Sequence, residues 1–288
     1  LGDKASARQI AVDAGVPVIP ATGVLGDDMD AILAEAQEIG FPLMLKASWG
    51  GGGRGMRPIH NAEELPDLVL AGRREAEAAF GNGEGFLEKM ITKARHVEVQ
   101  ILGDSTGNMY HLWERDCSVQ RRNQKVVERA PAPYLSEAQR EEICNLGKKI
   151  CAHVNYTCAG TVEFLMDMET GKFYFIEVNP RVQVEHTVTE EVTGIDIVRA
   201  QILISEGKSL AEATGVASQY DVRLNGHALQ CRITTEDPQN NFIPDYGRIT
   251  AYRTATGPGI RLDGGTAYPG SVVTRYYDSL LVKLTAWG

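Results

Sequence analysis

The sequence has no long apolar run, no paired cysteines and no surplus of basic residues, and each absence narrows the function. No apolar stretch in the 288 residues approaches the roughly 20 needed to span a bilayer, and no secretory signal opens the chain. Neither a helical membrane protein nor an exported one is expected. Cys117, Cys144, Cys151, Cys158 and Cys231 are odd in number and show no CxxC spacing, so neither a disulfide framework nor a zinc site is written into them. The expectation is reduced thiols in a bacterial cytoplasm, or in the mitochondrial matrix or cytosol of a eukaryote. A net charge of -9 argues against general binding to nucleic acid or a membrane surface, while leaving room for a local basic pocket. Internal repeats, low-complexity tracts and long linkers are absent too.

What is present is a succession of helix and strand signals. Leu1 to Ala14 reads as a helix stopped by Gly15 and followed by the extended VPVIP, so the sequence opens in mid-structure, as a piece of a longer protein would. Asp27 to Gly40 reads as a second helix entered through Asp27 and Asp28. Phe41 to Ser48 is a strand, Trp49 to Met56 a glycine-rich loop returning as a strand through Ile59, and Asn61 the cap of an amphipathic helix running to Phe80. Gly85 to Ile91 and His96 to Asp104 read as strands, with NMYHLWERD as a hairpin partner after the Gly107-Asn108 turn. Cys117 to Pro133 lacks clean periodicity and is expected to be a loop. Ser136 to His153 reads as a helix, GTVEFLMD and FYFIEVN as strands, Glu185 to Val192 and Gly194 to Glu206 as helices. Short strands and turns follow from Gly226. The sum is an α+β fold with mostly antiparallel strands, in which residues from about 20 to 90 form a compact unit able to move as a lid.

The densest chemistry lies where two apolar strands each deliver a carboxylate, Glu163 and Glu177. Asn179 shares the face of Glu177 by strand alternation, and Arg181, Gln183 and Glu185 are expected to continue it. Two carboxylates and an amide oxygen, without His or Cys beside them, suit magnesium and nucleotide phosphates. A merely solvated strand face explains any one of these residues better, but not all of them in register. Lys46 precedes four consecutive glycines from Gly50, then Gly55, in a loop whose backbone amides can face an anion. It matches neither a P-loop nor a dinucleotide fingerprint, because a strand follows it; it reads as a hairpin flap over phosphates. Glu88, Lys89, Met90 and Ile91 end a strand where a purine can take backbone hydrogen bonds. Gln120 to Arg129 is basic without aromatic interleaving and so favours small anions over nucleic acid. His186 reads as a hydrogen-bonded structural residue.

With these residues assembled, the chain resembles the biotin carboxylase component of biotin-dependent carboxylases, members of the ATP-grasp superfamily. Among them it looks most like the pyruvate carboxylases. The resemblance is carried by LGDK at Leu1, KASWGGGGRGM at Lys46, EKMITKARHVEVQ at Glu88, ERDCSVQRRNQKVVERAPAP at Glu114, GTVEFL at Gly160 and FIEVNPRVQVEHTVTE at Phe175. NFIPDYGRITAYR, Trp49 in place of a glycine and Asn123 in place of a histidine tilt it toward the pyruvate carboxylases. The resemblance implies an ATP-grasp fold: residues 1–19 from the end of an amino-terminal subdomain otherwise missing, 20–90 the lid, and 91–288 the core with an incomplete C-terminal subdomain. It implies that lid and core clamp ATP. Lys4 and Lys46 would contact phosphates, with Gly52, Gly53 and Gly55 covering them. Glu88 to Ile91, His96, Gln120, Met56, Leu165 and Asn123 would hold adenine and ribose. Glu163, Glu177 and Asn179 would bind Mg2+ or Mn2+. Bicarbonate would lie against Lys125, Arg181, Gln183 and the backbone of Val184, with Glu185 as general base kept ionised by Arg181. Arg181 and Arg261 would stabilise the oxyanion of biotin, which is carried on another domain.

The implied activity is ATP-dependent carboxylation of biotin through carboxyphosphate, with carboxyltransferase and biotin carrier domains in a parent chain and a homo-oligomer in the full-length protein. The alternatives are the equivalent part of an acyl-CoA carboxylase, another bicarbonate-activating ATP-grasp ligase such as the carbamoyl-phosphate-forming type, and a nucleotide-binding regulatory module without turnover.

Overall fold

A computed structural model describes residues 4–48, 56–265, 267–276 and 279–288. The chain divides into two compact units, one made of Asp3–Ala94 and Leu165–Glu177, the other of Arg95–Phe164 and Val178–Gly288. β-strands that carry site residues pass from one stretch to the next.

The smaller unit contains α1 (Lys4–Asp13), α2 (Met29–Ile39), β1 (Leu43–Ala47), β2 (Arg57–Ile59), α3 (Leu65–Phe80) and β3 (Gly85–Lys89), with an antiparallel sheet ordered β2-β1-β3. Ile32 and Ala36 of α2, Leu43 and Leu45 of β1, Ile59, Leu65 and Val69 of α3, and Leu87 close its core. The Asp28 carboxylate caps α2 by accepting from the amides of Asp30 and Ala31. Asn61 does not cap α3. Its side-chain oxygen accepts from the Glu64 amide at 3.0 Å, closing a separate turn. α3 then starts at Leu65, with Pro66 in the first turn, where its missing N–H costs nothing.

The larger unit is built on β4 (Ala94–Gly103), β5 (Met109–Arg121), β6 (Gln124–Ala130), α4 (Glu137–His153), β7 (Cys158–Asp167) as far as Phe164, α5 (His186–Thr193), α6 (Ile197–Ser205), α7 (Leu210–Thr214) and β9 (Ala228–Thr234), while β8 (Phe173–Asn179) belongs to the smaller unit up to Glu177. The short β10 (Glu236–Asp237), β11 (Ile243–Pro244), β12 (Gly247–Arg248) and β14 (Val272–Val273) form two small ribbons, while β13 (Ile260–Gly264) and β15 (Leu280–Trp287) join the main sheet. That sheet has the order β13-β15-β9-β6-β5-β4-β7-β8. The antiparallel α+β architecture expected from the sequence is the one observed.

The segment expected to be a loop is instead a hairpin: β5 runs on to Arg121 and pairs with β6, Arg121 opposite Gln124. Arg122 and Asn123 form the two-residue turn at φ 50° and 64°, the left-handed pair that matches strand twist. Polar side chains on both faces hid the alternation. A bulge also shifts β5 against β4 between Val99 and Ile101, with Trp113 at φ 66°. Beyond it Arg115 stands directly opposite Glu98.

One sheet face changes character along its length. Leu102, Tyr110, Leu112 and Ala159 pack under α6 and α7 with Ile195, Ile197, Ala200, Ile204 and Leu210. Toward β9 the face is polar but sealed: Glu98, Gln100, Arg115, Glu128, Gln230 and Thr285 are almost fully buried. α5 supplies hydroxyls to this layer, Thr187 meeting Gln230 and Thr285, and Thr189 meeting Arg115. Such a layer is tolerable only because its groups are paired.

Candidate functional site

Lys125 is the centre of the polar layer. The β5–β6 turn places it opposite Gln120, and its ammonium reaches three carboxylates on three elements. It pairs with Glu98 of β4, lies 2.8 Å from Glu163 Oε1 of β7, and lies 2.8 Å from Glu185 Oε1 at the start of α5. All three acids are at most 4% exposed. Burial pulls the Lys125 ammonium down, and the attraction of Glu98 and its neighbours overrides this, leaving it firmly protonated. Burial pushes Glu163 up; contact with His96 and the charge of Lys125 bring it down to about 2. Glu98 is lowered as well: burial opposes ionisation, and Lys125 and Arg115 overcome it.

Glu163 collects further donors. Its Oε1 accepts from Asn179 Nδ2 and Gln183 Nε2, each at 2.9 Å. His96 Nε2 lies 2.8 Å from Oε2, off line for a hydrogen bond, and His96 Nδ1 is 3.0 Å from Gln120 Nε2. Glu185 is held from its other side by Arg232, whose Nη2 is 3.1 Å away while its Nε binds Glu128 at 2.7 Å. His96, Gln120, Lys125, Glu163, Asn179, Gln183 and Glu185 are therefore one constellation within the larger unit.

Other expected residues sit differently. The strand alternation stops at Asn179, so Arg181 is not aligned with Glu185. Arg181 is exposed and donates to Asn179 Oδ1 at 3.3 Å and the Val182 carbonyl at 3.2 Å. Lys125 and Arg232, not Arg181, are the cations facing Glu185. The Val184 carbonyl accepts from Lys283 at 3.0 Å. Asn123 is exposed at the hairpin turn. Arg261 on β13 is part-buried between Glu190 at 2.7 Å and Asp263 at 2.8 Å, with Glu191 at 3.4 Å. His186 Nδ1 bonds the Gln183 carbonyl at 2.8 Å. Burial, reinforced by Lys283, lowers its pKa.

In the smaller unit Lys46 pairs with Glu88 across β1 and β3. Lys89 Nζ donates to the carbonyls of Gly40 and Phe41 at 2.8 Å. The amides of Lys89 and Met90 are spent on the carbonyls of Pro20 and Pro42, so a purine edge would not meet those two. Met56 is exposed, and Leu165 and Glu177 are partly buried. Gly52, Gly53, Gly55 and the side chain of Lys4 lie outside the described residues.

Sequence reasoning missed Glu98, Arg115, Glu128 and Arg232. The signal was there in part: polar residues, one of them a glutamate, alternating with valines in HVEVQ are unusual for a strand buried on both faces. As for a divalent ion, Glu163 and Asn179 of the larger unit offer it only oxygen, and Glu163 is held ionised; this donor chemistry suits Mg2+ or Mn2+. Among the described residues no helix is long and apolar enough to cross a membrane.

Comparisons with known proteins bear on the same residues. Residues 3–213 match the family described as carbamoyl-phosphate synthase L chain, ATP binding domain, and residues 230–288 match the biotin carboxylase C-terminal domain. A pyruvate carboxylase of Bacillus subtilis is 51% identical over 99% of this chain and 25% of its own length. The structure of a Rhizobium etli pyruvate carboxylase with acetyl coenzyme A superposes with a TM-score of 0.91 at 65% identity, covering 100% of this chain and 25% of that one. The biotin carboxylase domain of a Hydrogenobacter thermophilus 2-oxoglutarate carboxylase, solved with MgADP, ADP and bicarbonate, gives 0.89 at 46% identity over 100% of this chain and 62% of that one. The chain spans about a quarter of the length of the curated relatives it matches.

Proposed function

The chain belongs to the biotin carboxylase family of ATP-grasp ligases, and from that premise we propose that it carboxylates biotin with ATP and bicarbonate, the first half-reaction of a pyruvate carboxylase. The observation that carries the reading is the Lys125 ammonium held among Glu98, Glu163 and Glu185. A fixed cation beside an acid able to take a proton is what bicarbonate activation needs. Lys125 and Gln183 bind the bicarbonate anion, and Glu185, 2.8 Å from the ammonium, accepts its proton. The freed oxygen attacks the γ-phosphorus of ATP, the bond to ADP breaks, and carboxyphosphate forms. Its decay gives carbon dioxide and phosphate beside the acceptor nitrogen.

Glu163, Glu177 and Asn179 are assigned to the divalent ion, which when bound neutralises charge on the phosphates. Lys4, Lys46, Gly52, Gly53 and Gly55 are assigned to the phosphates. Met56, Glu88 to Ile91, His96, Gln120, Asn123 and Leu165 are assigned to adenosine. Arg181, exposed at the edge of the constellation, turns toward an incoming anion only by exchanging its contacts with Asn179 and the Val182 carbonyl. Arg261 acts as donor to the biotin oxyanion only by exchanging a contact with Glu190 or Asp263. The biotin is supplied by a carrier domain of the parent chain, which also holds the carboxyltransferase and assembles as a homo-oligomer. The compartment is the bacterial cytoplasm, or the mitochondrial matrix or cytosol of a eukaryote; the relatives include a bacterial pyruvate carboxylase and a mitochondrial one.

The test is ATP cleavage by the full-length protein with bicarbonate and free biotin added separately and together. Cleavage that requires bicarbonate and rises with biotin supports the reading. Cleavage stimulated by bicarbonate but indifferent to biotin points to a carbamoyl-phosphate-type ligase instead, and nucleotide binding without turnover to a regulatory module.

A further inference from the structure

Arg115 is tied to the candidate site more tightly than its burial alone requires. It is fully buried on β5, opposite Glu98, and its donors go to five side chains. Nε pairs with Glu98 Oε1. Nη1 donates to Gln100 Oε1 at 2.8 Å and Thr189 Oγ1 at 3.0 Å, and Nη2 to Thr161 Oγ1 at 3.2 Å and Gln183 Oε1 at 3.3 Å. One carboxylate would offset the charge; the other four acceptors fix the plane of the guanidinium.

Two of the five partners pass the contact onward. The second oxygen of Glu98 accepts from Lys125. Gln183 presents its carbonyl oxygen to the guanidinium, which only donates, so its NH2 must face the other way, toward Glu163 Oε1 at 2.9 Å. The orientation of Lys125 and Gln183, the two side chains assigned to bicarbonate, is thus set from one buried fork.

We propose that Arg115 is a positioning residue for the bicarbonate subsite, aligning Lys125 through Glu98 and the amide of Gln183 directly, without touching substrate. This rests on the reading that bicarbonate binds at Lys125 and Gln183. Lysine in place of Arg115 keeps the charge but is a point donor. It cannot span Glu98 and Gln183 together.

The experiment uses the full-length protein and measures KM for bicarbonate and for MgATP, kcat, ADP affinity and Tm for wild type, Arg115→Lys, Glu98→Gln, their double variant and Thr161→Val. Arg115→Lys is expected to raise the bicarbonate KM at least about tenfold with the MgATP KM and ADP affinity within about twofold. Glu98→Gln is expected to show the same split, and the double variant to fall short of the product of the two single effects, since the two residues share the route to Lys125. Thr161→Val, which removes a single acceptor, is expected to raise the bicarbonate KM about two- to threefold; it decides the matter if Arg115→Lys does not fold. The proposal is overturned by a bicarbonate KM that does not move, by losses spread equally over both substrates in step with Tm, or by additive Arg115 and Glu98 effects. A wild type without bicarbonate-dependent cleavage overturns the functional reading and this proposal together. A bicarbonate-dependent wild type with unsplit variant kinetics overturns this proposal alone.

Discussion

Lys125 concentrates the site's electrostatics in a single ammonium, and its removal leaves Glu98, Glu163 and Glu185 facing one another in a buried layer. Lys125→Met should cost about 3–5 kcal/mol at neutral pH, read by chemical denaturation. The same contact predicts a pH dependence. Glu163 is lowered from 4.5 to about 2, so its contribution to stability, up to about 3 kcal/mol, is complete above about pH 4.5 and drains away as pH falls toward 2. In chelator-containing buffer the stability gap between wild type and Lys125→Met should narrow from pH 5 to pH 3; parallel curves would contradict the assignment. Glu185→Gln should lower bicarbonate-dependent ATP cleavage by at least about 10²-fold while leaving nucleotide affinity within about twofold. At this scale the sequence revealed Glu163, because a carboxylate in an apolar strand is conspicuous, while the roles of Lys125 and Glu185 came from the resemblance and Glu98 was missed. It did not reveal Arg115 or Arg232, since a basic residue in a charged run gives no sign of being buried, and it misaimed Arg181 by extending a strand past Asn179.

Elements with their own punctuation were legible, and those shaped by tertiary pairing were not. The start of α4 at Ser136 was readable from residue types; there Ser136 forms a capping box with Gln139, and Ser136→Ala should lose about 1 kcal/mol in denaturant titration. The β5–β6 hairpin was not readable: its strands carry polar groups on both faces because one face is the buried ionic layer, and bulges break the register. Its turn holds Arg122 at φ 50°, where a β-branched residue is strained, so Arg122→Val should cost about 1–2 kcal/mol in the same measurement. No loss would mean that the turn does not hold this geometry in solution. The hairpin is also what brings Lys125 opposite Gln120, so reading it as a loop concealed how the site is built.

For the whole molecule, the antiparallel α+β architecture followed from the order of helix and strand signals, and the family followed from long specific stretches such as ERDCSVQRRNQK. The glycine flap, a prominent motif of the sequence, lies outside the described residues, so the structural case stands on the larger unit's ionic layer. That layer makes one chemical claim: an oxygen of bicarbonate, deprotonated at Glu185 beside Lys125, becomes bonded to the γ-phosphorus of ATP. The direct test is to supply bicarbonate labelled with oxygen-18 to the full-length protein and analyse the inorganic phosphate released. The account predicts phosphate carrying one labelled oxygen derived from bicarbonate, and none in Glu185→Gln. Phosphate whose new oxygen comes only from water would contradict it.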